Sequence, residues 1–268
     1  MAEAIVSAER VSKQYPLYSG LLRRRIGSVE AVQSVELAVH EGEAVGLVGE
    51  SGSGKSTLAR LLVGLVPPSA GHIRWLGRPL SEWRGRERLH ARRQVQMVFQ
   101  DPSGSLDPRL TVGETLAEPF EIHLGGRRAE HRLRVERLLQ AVELPIEYAR
   151  RLPRELSGGE RQRVGIARAI ALEPRVLVCD EPIASLDVIV GAAILRLLGR
   201  LQAQRGMALL FISHDLRAVA TLCTRIVVMR AGELVEEASA GQLIARPAHP
   251  YTRRLLCAAA LDLNAPDE

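Results

Sequence analysis

Short apolar runs recur along the chain, each closed by a glycine or a polar residue. The run from Ala44 to Val48 ends in Gly49, which predicts a buried strand feeding a loop. Val95 to Phe99, Val176 to Cys179 and Leu209 to Ile212 are three more such runs. Between them, apolar residues recur at helical spacing over 58–64, 160–172 and 190–204, and Pro67 and Pro68 stand where the first of these helices should stop. Strands alternating with helices predict an α/β fold, a mostly parallel sheet covered by helices, in which ligands gather at strand C-termini.

From about 101 to 156 the character changes. Prolines and glycines come first, then an arginine-rich helical stretch from Arg127 to Val142, with no strand pattern. This reads as an inserted α-helical subdomain. Residues 17–29, with Arg23, Arg24 and Arg25 and two glycines, read as a basic surface loop of an N-terminal β region. There is no internal repeat.

Composition narrows the class. The chain has 268 residues, 46% of them hydrophobic, yet its longest apolar run, Leu255 to Leu261, falls far short of the ~20 residues that a membrane-spanning helix needs. The first ten residues carry Glu3 and Glu9 and no basic-then-apolar pattern, so no signal peptide is expected. Cys179, Cys223 and Cys257 lie far apart without metal-binding spacing, which fits free thiols of a reducing cytosol. The net charge of +5 arises from scattered arginines among 31 acidic residues, and aromatics are only 3%. That leaves few stacking surfaces for bases, and no nucleic-acid partner is expected.

The chemistry begins with Gly49, Glu50, Ser51, Gly52, Ser53, Gly54, Lys55, Ser56 and Thr57, which satisfy GxxxxGK[ST] between a predicted strand and a predicted helix. Glycines let successive backbone N–H groups turn inward around phosphates. Lys55 can reach the β and γ oxygens, the Ser56 hydroxyl can ligate Mg²⁺, and the helix start adds its positive dipole end. Kinases, GTPases and helicases share this loop, so it identifies a nucleotide and not a task.

Two carboxylates, Asp180 and Glu181, follow the apolar run Val176 to Cys179. That run forces them to the ligand edge of the sheet, where Asp180 can hold Mg²⁺ and Glu181 can orient and deprotonate an attacking water. Leu156, Ser157, Gly158, Gly159 and Glu160 form a second anion-suited helix start, a hydroxyl and two glycines ahead of Arg161, Gln162 and Arg163.

In motif order and spacing, residues 5–256 resemble the ABC ATPase family. The resemblance implies a catalytic core over 1–100 and 157–240, a helical insert over 101–156 and a C-terminal tail over 241–268. Gln100 then matches the Q-loop glutamine and is a third Mg²⁺ ligand, His214 matches the switch histidine, and Ser185, Leu186 and Asp187 match the D-loop. Tyr15 matches the aromatic that stacks on adenine. Glu181, His214 and Gln100 become the catalytic set, while Ser157, Gly158, Gly159 and Asp187 complete the nucleotide site of a partner cassette. Gln100 to Gly113 and His249 to Leu256 are similar in particular to ATP-binding subunits of peptide and nickel importers.

The cofactors implied are ATP and Mg²⁺. The partners implied are a second, different ABC ATPase subunit, two transmembrane permeases and, through the complex, an extracytoplasmic solute-binding protein. The location implied is peripheral, on the cytoplasmic face of the inner membrane. The rival class is an ABC-type ATPase acting on nucleic acid or ribosomes. Two departures from the family pattern stand out: Glu160 occupies a position often held by glutamine, and Ile183 and Ala184 replace hydroxyl residues before the D-loop.

Overall fold

Continuous and alternating apolar runs become strands in the computed structural model of the chain, which describes residues 4–19 and 24–259. Strands β1 (Ala4–Ser19), β2 (Arg24–His40) and β3 (Ala44–Val48) lead into helix α1 (Lys55–Leu62), then β4 (Ala70–Trp75) and β5 (Arg78–Pro79). Helix α2 (Gly85–Gln94) precedes β6 (Val95–Val98), followed by α3 (Pro102–Ser105), α4 (Val112–Leu124), α5 (Arg132–Ala141) and α6 (Gly158–Ile170). Next come β7 (Val176–Asp180), α7 (Val188–Arg205), β8 (Ala208–Ser213) and α8 (Leu216–Leu222). The chain closes with β9 (Arg225–Arg230), β10 (Glu233–Ser239), α9 (Ala240–Ala245) and α10 (Pro250–Ala258).

The described residues fall into two units, one running up to Trp83 and again from Leu210, the other from Arg84 to Leu209. In the first, β2, β1, β4 and β5 form an antiparallel sheet in that order. Ile5, Val6, Ala8 and Val11 of β1 and Val32, Val35, Leu37 and Val39 of β2 are buried. Strand β3 runs parallel to β9, with Val45 opposite Arg225 and Val48 opposite Val228, and β10 continues antiparallel beyond β9. All five residues of β3 are buried, as a strand covered on both faces should be.

In the second unit β6 and β7 are parallel, Val95 facing Val176 and Val98 facing Cys179. Helices α4, α5 and α6 pack against one another beside them. Strand β8 carries the chain back into the first unit.

One local expectation changes. The basic loop expected over 17–29 is narrower, because β1 continues to Ser19 and β2 resumes at Arg24, with Leu17 opposite Gly27 and Tyr18 opposite Arg25. Arg23 lies outside the described residues. Leu17, Tyr18, Ile26 and Val29 are all exposed there, so these apolar side chains give no burial pattern to mark the paired strands. The stretch rich in proline and glycine after Gln100 contains a full helix, α4, with Pro119 inside it. Thr111 starts α4 by accepting the Glu114 N–H, while the Glu114 carboxylate accepts the Thr111 N–H at 2.9 Å. Its buried face, Val112, Leu116, Ala117 and Phe120, then outweighs the single N–H that Pro119 lacks.

Candidate functional site

In the first unit the candidate residues from Gly49 to Thr57 form the turn from β3 into α1. Gly49 has φ 156°, and a Cβ there would lie 2.1 Å from the Met229 carbonyl oxygen. Gly54 has φ 107°, and a Cβ on it would lie 2.2 Å from the Ala31 carbonyl oxygen. Backbone approaches this close admit no side chain, which is the physical reason for both glycines. Lys55 is 4% exposed, and its ammonium donates to the carbonyls of Gly49 (2.7 Å) and Glu50 (2.8 Å). Ser53 is buried and its carbonyl accepts the Gly232 N–H at 2.9 Å, while Glu50, Ser51 and Gly52 form the exposed rim. Ser56 and Thr57 occupy the first turn of α1, half-buried. Helix α1 is anchored by Leu58, Leu61 and Leu62, all fully buried, at about 1.5 to 3 kcal/mol each.

The other two candidates of this unit stand on other elements. Tyr15 is half-buried on β1 opposite Val29, with the Lys13 ammonium 5.3 Å from its ring centroid. His214 is exposed immediately after β8, between the buried Ser213 and Asp215, which caps α8 by accepting the N–H groups of Arg217 and Ala218.

In the second unit, parallel pairing brings Gln100 and Glu181 together. Val98 and Cys179 are the last register partners of β6 and β7, so Gln100 and Glu181 each lie two residues beyond them on the same edge. Gln100 Nε2 donates to Glu181 Oε2 at 3.4 Å, a long hydrogen bond. Asp180, at 2% exposure, closes the wholly buried β7. Glu181 has φ 45°, a left-handed conformation that costs a non-glycine residue about 1 to 3 kcal/mol and that turns its carboxylate out of the strand line.

The same unit gathers Ser157, Gly158, Gly159 and Asp187. Ser157 caps α6, and a Cβ on Gly159 would lie 2.5 Å from Val190 Cγ1, so the start of α6 sits directly on the start of α7. Asp187 caps α7 by accepting the Val190 N–H at 2.9 Å. Val188 and Ile189 beside it are 88% and 80% exposed. Glu160 turns its carboxylate back on its own chain. Oε2 accepts the Ser157 N–H at 2.7 Å and Oε1 accepts the Tyr148 hydroxyl at 2.8 Å. The Ser157 N–H, burial working against it, and then the Tyr148 hydroxyl leave its acid below the usual carboxylate range.

Sequence reasoning missed the supports of the phosphate loop: Ala31, Met229 and Gly232, and Tyr251, whose Oη accepts the Glu50 N–H at 2.9 Å. The first three are backbone contacts without a residue signature. Tyr251 had one, the His249 to Leu256 motif, whose role no local pattern discloses. Among the described residues no cluster of three or more His, Cys, Asp or Glu side chains could hold a metal ion by itself. The Ser56 hydroxyl in the first unit, and the Gln100 amide and Asp180 carboxylate in the second, are each hard oxygen groups of the kind that Mg²⁺ takes. The glycine cradle around Lys55 likewise suits a polyphosphate. Among the described residues no helix is long and apolar enough to cross a membrane.

Residues 32–184 match the profile of the family described as ABC transporter. The chain is 46% identical, over 96% of its length, to the glutathione import ATP-binding protein GsiA of Pectobacterium atrosepticum, and spans 41% of that protein. It is 45% identical, over 97% of its length, to the probable peptide ABC transporter ATP-binding protein y4tS of Sinorhizobium fredii, and spans 73% of it. Among solved structures, the dimeric post-hydrolysis state of the ATP-binding cassette MJ0796 bound to ADP and Pi superimposes with a TM-score of 0.77 at 31% identity, covering 88% of this chain and 98% of that one. The structure of cbiO1 from Clostridium perfringens, part of the ABC transporter complex cbiONQ, gives 0.75 at 25% identity, covering 97% and 96%.

Proposed function

The chain belongs to the ABC transporter family, and on that premise we propose that it is the ATP-binding and hydrolysing subunit of an importer whose cargo is peptides. The observation that carries the reading is the glycine cradle with Lys55 buried inside it. The relatives named for glutathione and peptide import favour peptides over nickel chelates as cargo.

Catalysis of this kind needs charge neutralisation and a positioned water more than covalent chemistry. Lys55 neutralises the β and γ phosphates, and backbone N–H groups of the loop other than that of Glu50, which Tyr251 holds, cradle them. Tyr15 stacks on the base. Ser56 of the first unit and Gln100 and Asp180 of the second are the residues that would hold Mg²⁺, which when bound would draw charge from the phosphate oxygens. Glu181 orients the attacking water and accepts its proton, and the Gln100 hydrogen bond fixes the carboxylate for that task. His214 steadies the charge that builds on the transferred phosphate.

Two cassettes pack head to tail, so that Ser157, Gly158, Gly159 and Asp187 complete the partner's site. The exposed Val188 and Ile189 beside Asp187 support a protein surface at this place. The partner is a second, different ATPase subunit, and the pair drives two permeases that receive cargo from an extracytoplasmic binding protein. The subunit works peripherally on the cytoplasmic face of the inner membrane.

The test is nucleotide binding and turnover in two variants of the assembled complex. Glu181→Gln should keep ATP binding and lose about 100-fold or more in turnover, the loss expected of a general base. Lys55→Ala should weaken binding itself. Wild-type turnover by a folded Glu181→Gln variant would remove Glu181 as the base.

A further inference from the structure

The motif from His249 to Leu256 takes no part in the chemistry above, yet its tyrosine reaches the phosphate loop within the first unit. The Glu50 N–H donates to Tyr251 Oη at 2.9 Å across 201 residues of sequence, and Tyr251 is 2% exposed. We propose that Tyr251 is a positioning residue for nucleotide binding, its hydroxyl fixing the peptide between Gly49 and Glu50 so that the loop keeps the shape that phosphates require.

A peptide unit is planar, so its orientation is set once both of its polar ends are bonded. Here they are. The carbonyl end, Gly49 O, accepts the Lys55 ammonium at 2.7 Å, and the N–H end is taken by Tyr251. Lys55 sets one end of the plane and Tyr251 the other. A loop that binds phosphate through backbone N–H groups depends on where those groups point, so a peptide free to rotate costs affinity before it costs stability.

Tyr251 is itself held. The Arg230 guanidinium lies 5.2 Å from its ring centroid, and Arg230 follows Met229, whose carbonyl packs on Gly49. Helix α10 starts from His249, whose Nδ1 accepts the Tyr251 N–H at 3.1 Å. Glu236 on β10 then pins the approach to that helix by accepting the N–H groups of Ala248 (2.8 Å) and His249 (2.9 Å). Such a chain of contacts is more than a buried ring needs, and it ends on the hydroxyl that accepts the Glu50 N–H.

The inference rests on reading Gly49 to Thr57 as a nucleotide site, and the experiment separates the two. Binding of a fluorescent ATP analogue is titrated for the wild-type chain, Tyr251→Phe and Tyr251→Leu, with thermal unfolding and, in the assembled complex, ATPase kinetics alongside. Tyr251→Phe keeps the ring and the Arg230 contact but loses the acceptor. Its dissociation constant and KM should rise about three- to ten-fold, the worth of one hydrogen bond, while kcat stays near wild type. Tyr251→Leu should in addition lower the unfolding temperature. A Tyr251→Phe chain that unfolds earlier yet binds nucleotide as the wild type does would assign Tyr251 to folding alone and overturn the inference, as would unchanged binding at unchanged stability. Absence of nucleotide binding in the wild type would overturn the reading of the loop, and the inference with it.

Discussion

Glu160 gives both carboxylate oxygens to groups of its own chain, the Ser157 N–H and the Tyr148 hydroxyl. These bonds leave its charge in place but hold the carboxylate against its own chain, where it steadies the helix that carries Ser157. Its acid is held below 4.5, so the stability it lends is complete above about pH 4.5 and is lost as pH falls through the lowered value. Glu160→Ala should therefore cost about 0.5 to 1 kcal/mol at pH 7 and less towards pH 3, as urea denaturation across that range would register. Half of this was legible. A serine followed three residues later by glutamate is a capping pattern in any sequence, whereas Tyr148 lies twelve residues upstream and meets Glu160 only once α5 has folded back towards α6.

Elements differ in how openly the sequence announces them. Strands β3, β6, β7 and β8 are short apolar runs and α6 and α7 are periodic, so each was evident before any coordinates. Helix α4 was legible only as part of a helical stretch over 101–156, because Pro119 obscures a helix that the capping box at Thr111 and a buried apolar face hold. Helix α1 shows a subtler reversal. The proline pair at Pro67 and Pro68 marks a stop, yet the helix already ends at Leu62, where the indole N–H of Trp75 donates to the Leu62 carbonyl at 2.7 Å. That carbonyl belongs to the last turn and has no partner within the helix. Trp75 is 1% exposed, so Trp75→Phe should leave the carbonyl buried without a donor and cost about 1 to 3 kcal/mol, read as a shift in the midpoint of denaturation followed by circular dichroism.

At the scale of the whole chain, contacts between residues far apart in sequence decide what local patterns cannot. Arg225 bonds Glu43 at 2.6 and 2.9 Å, the Ala38 carbonyl at 2.6 Å and Glu237 at 2.6 Å, tying β9 to β2, to the turn before β3 and to β10. Burial alone would raise the Glu43 acid, but the Arg225 hydrogen bond and charge, helped by the His40 N–H, outweigh it and leave it below 4.5. Arg225→Met should cost about 1 to 3 kcal/mol near pH 7 and narrow its deficit as acid protonates Glu43, a convergence that thermal melts between pH 7 and pH 3 would display. The candidate site was legible in the same uneven way. Motif order picks out Lys55, Asp180, Glu181 and His214 as candidates, but no spacing could disclose that Ala31, Met229 and Tyr251 back the loop from three separated stretches of chain. On the ribosome that arrangement imposes a timetable: the phosphate loop emerges early, but its last brace is translated 201 residues later. A growing chain therefore lacks the hydroxyl that fixes the Glu50 N–H until α10 has been made, and the loop takes its final shape only near the end of synthesis.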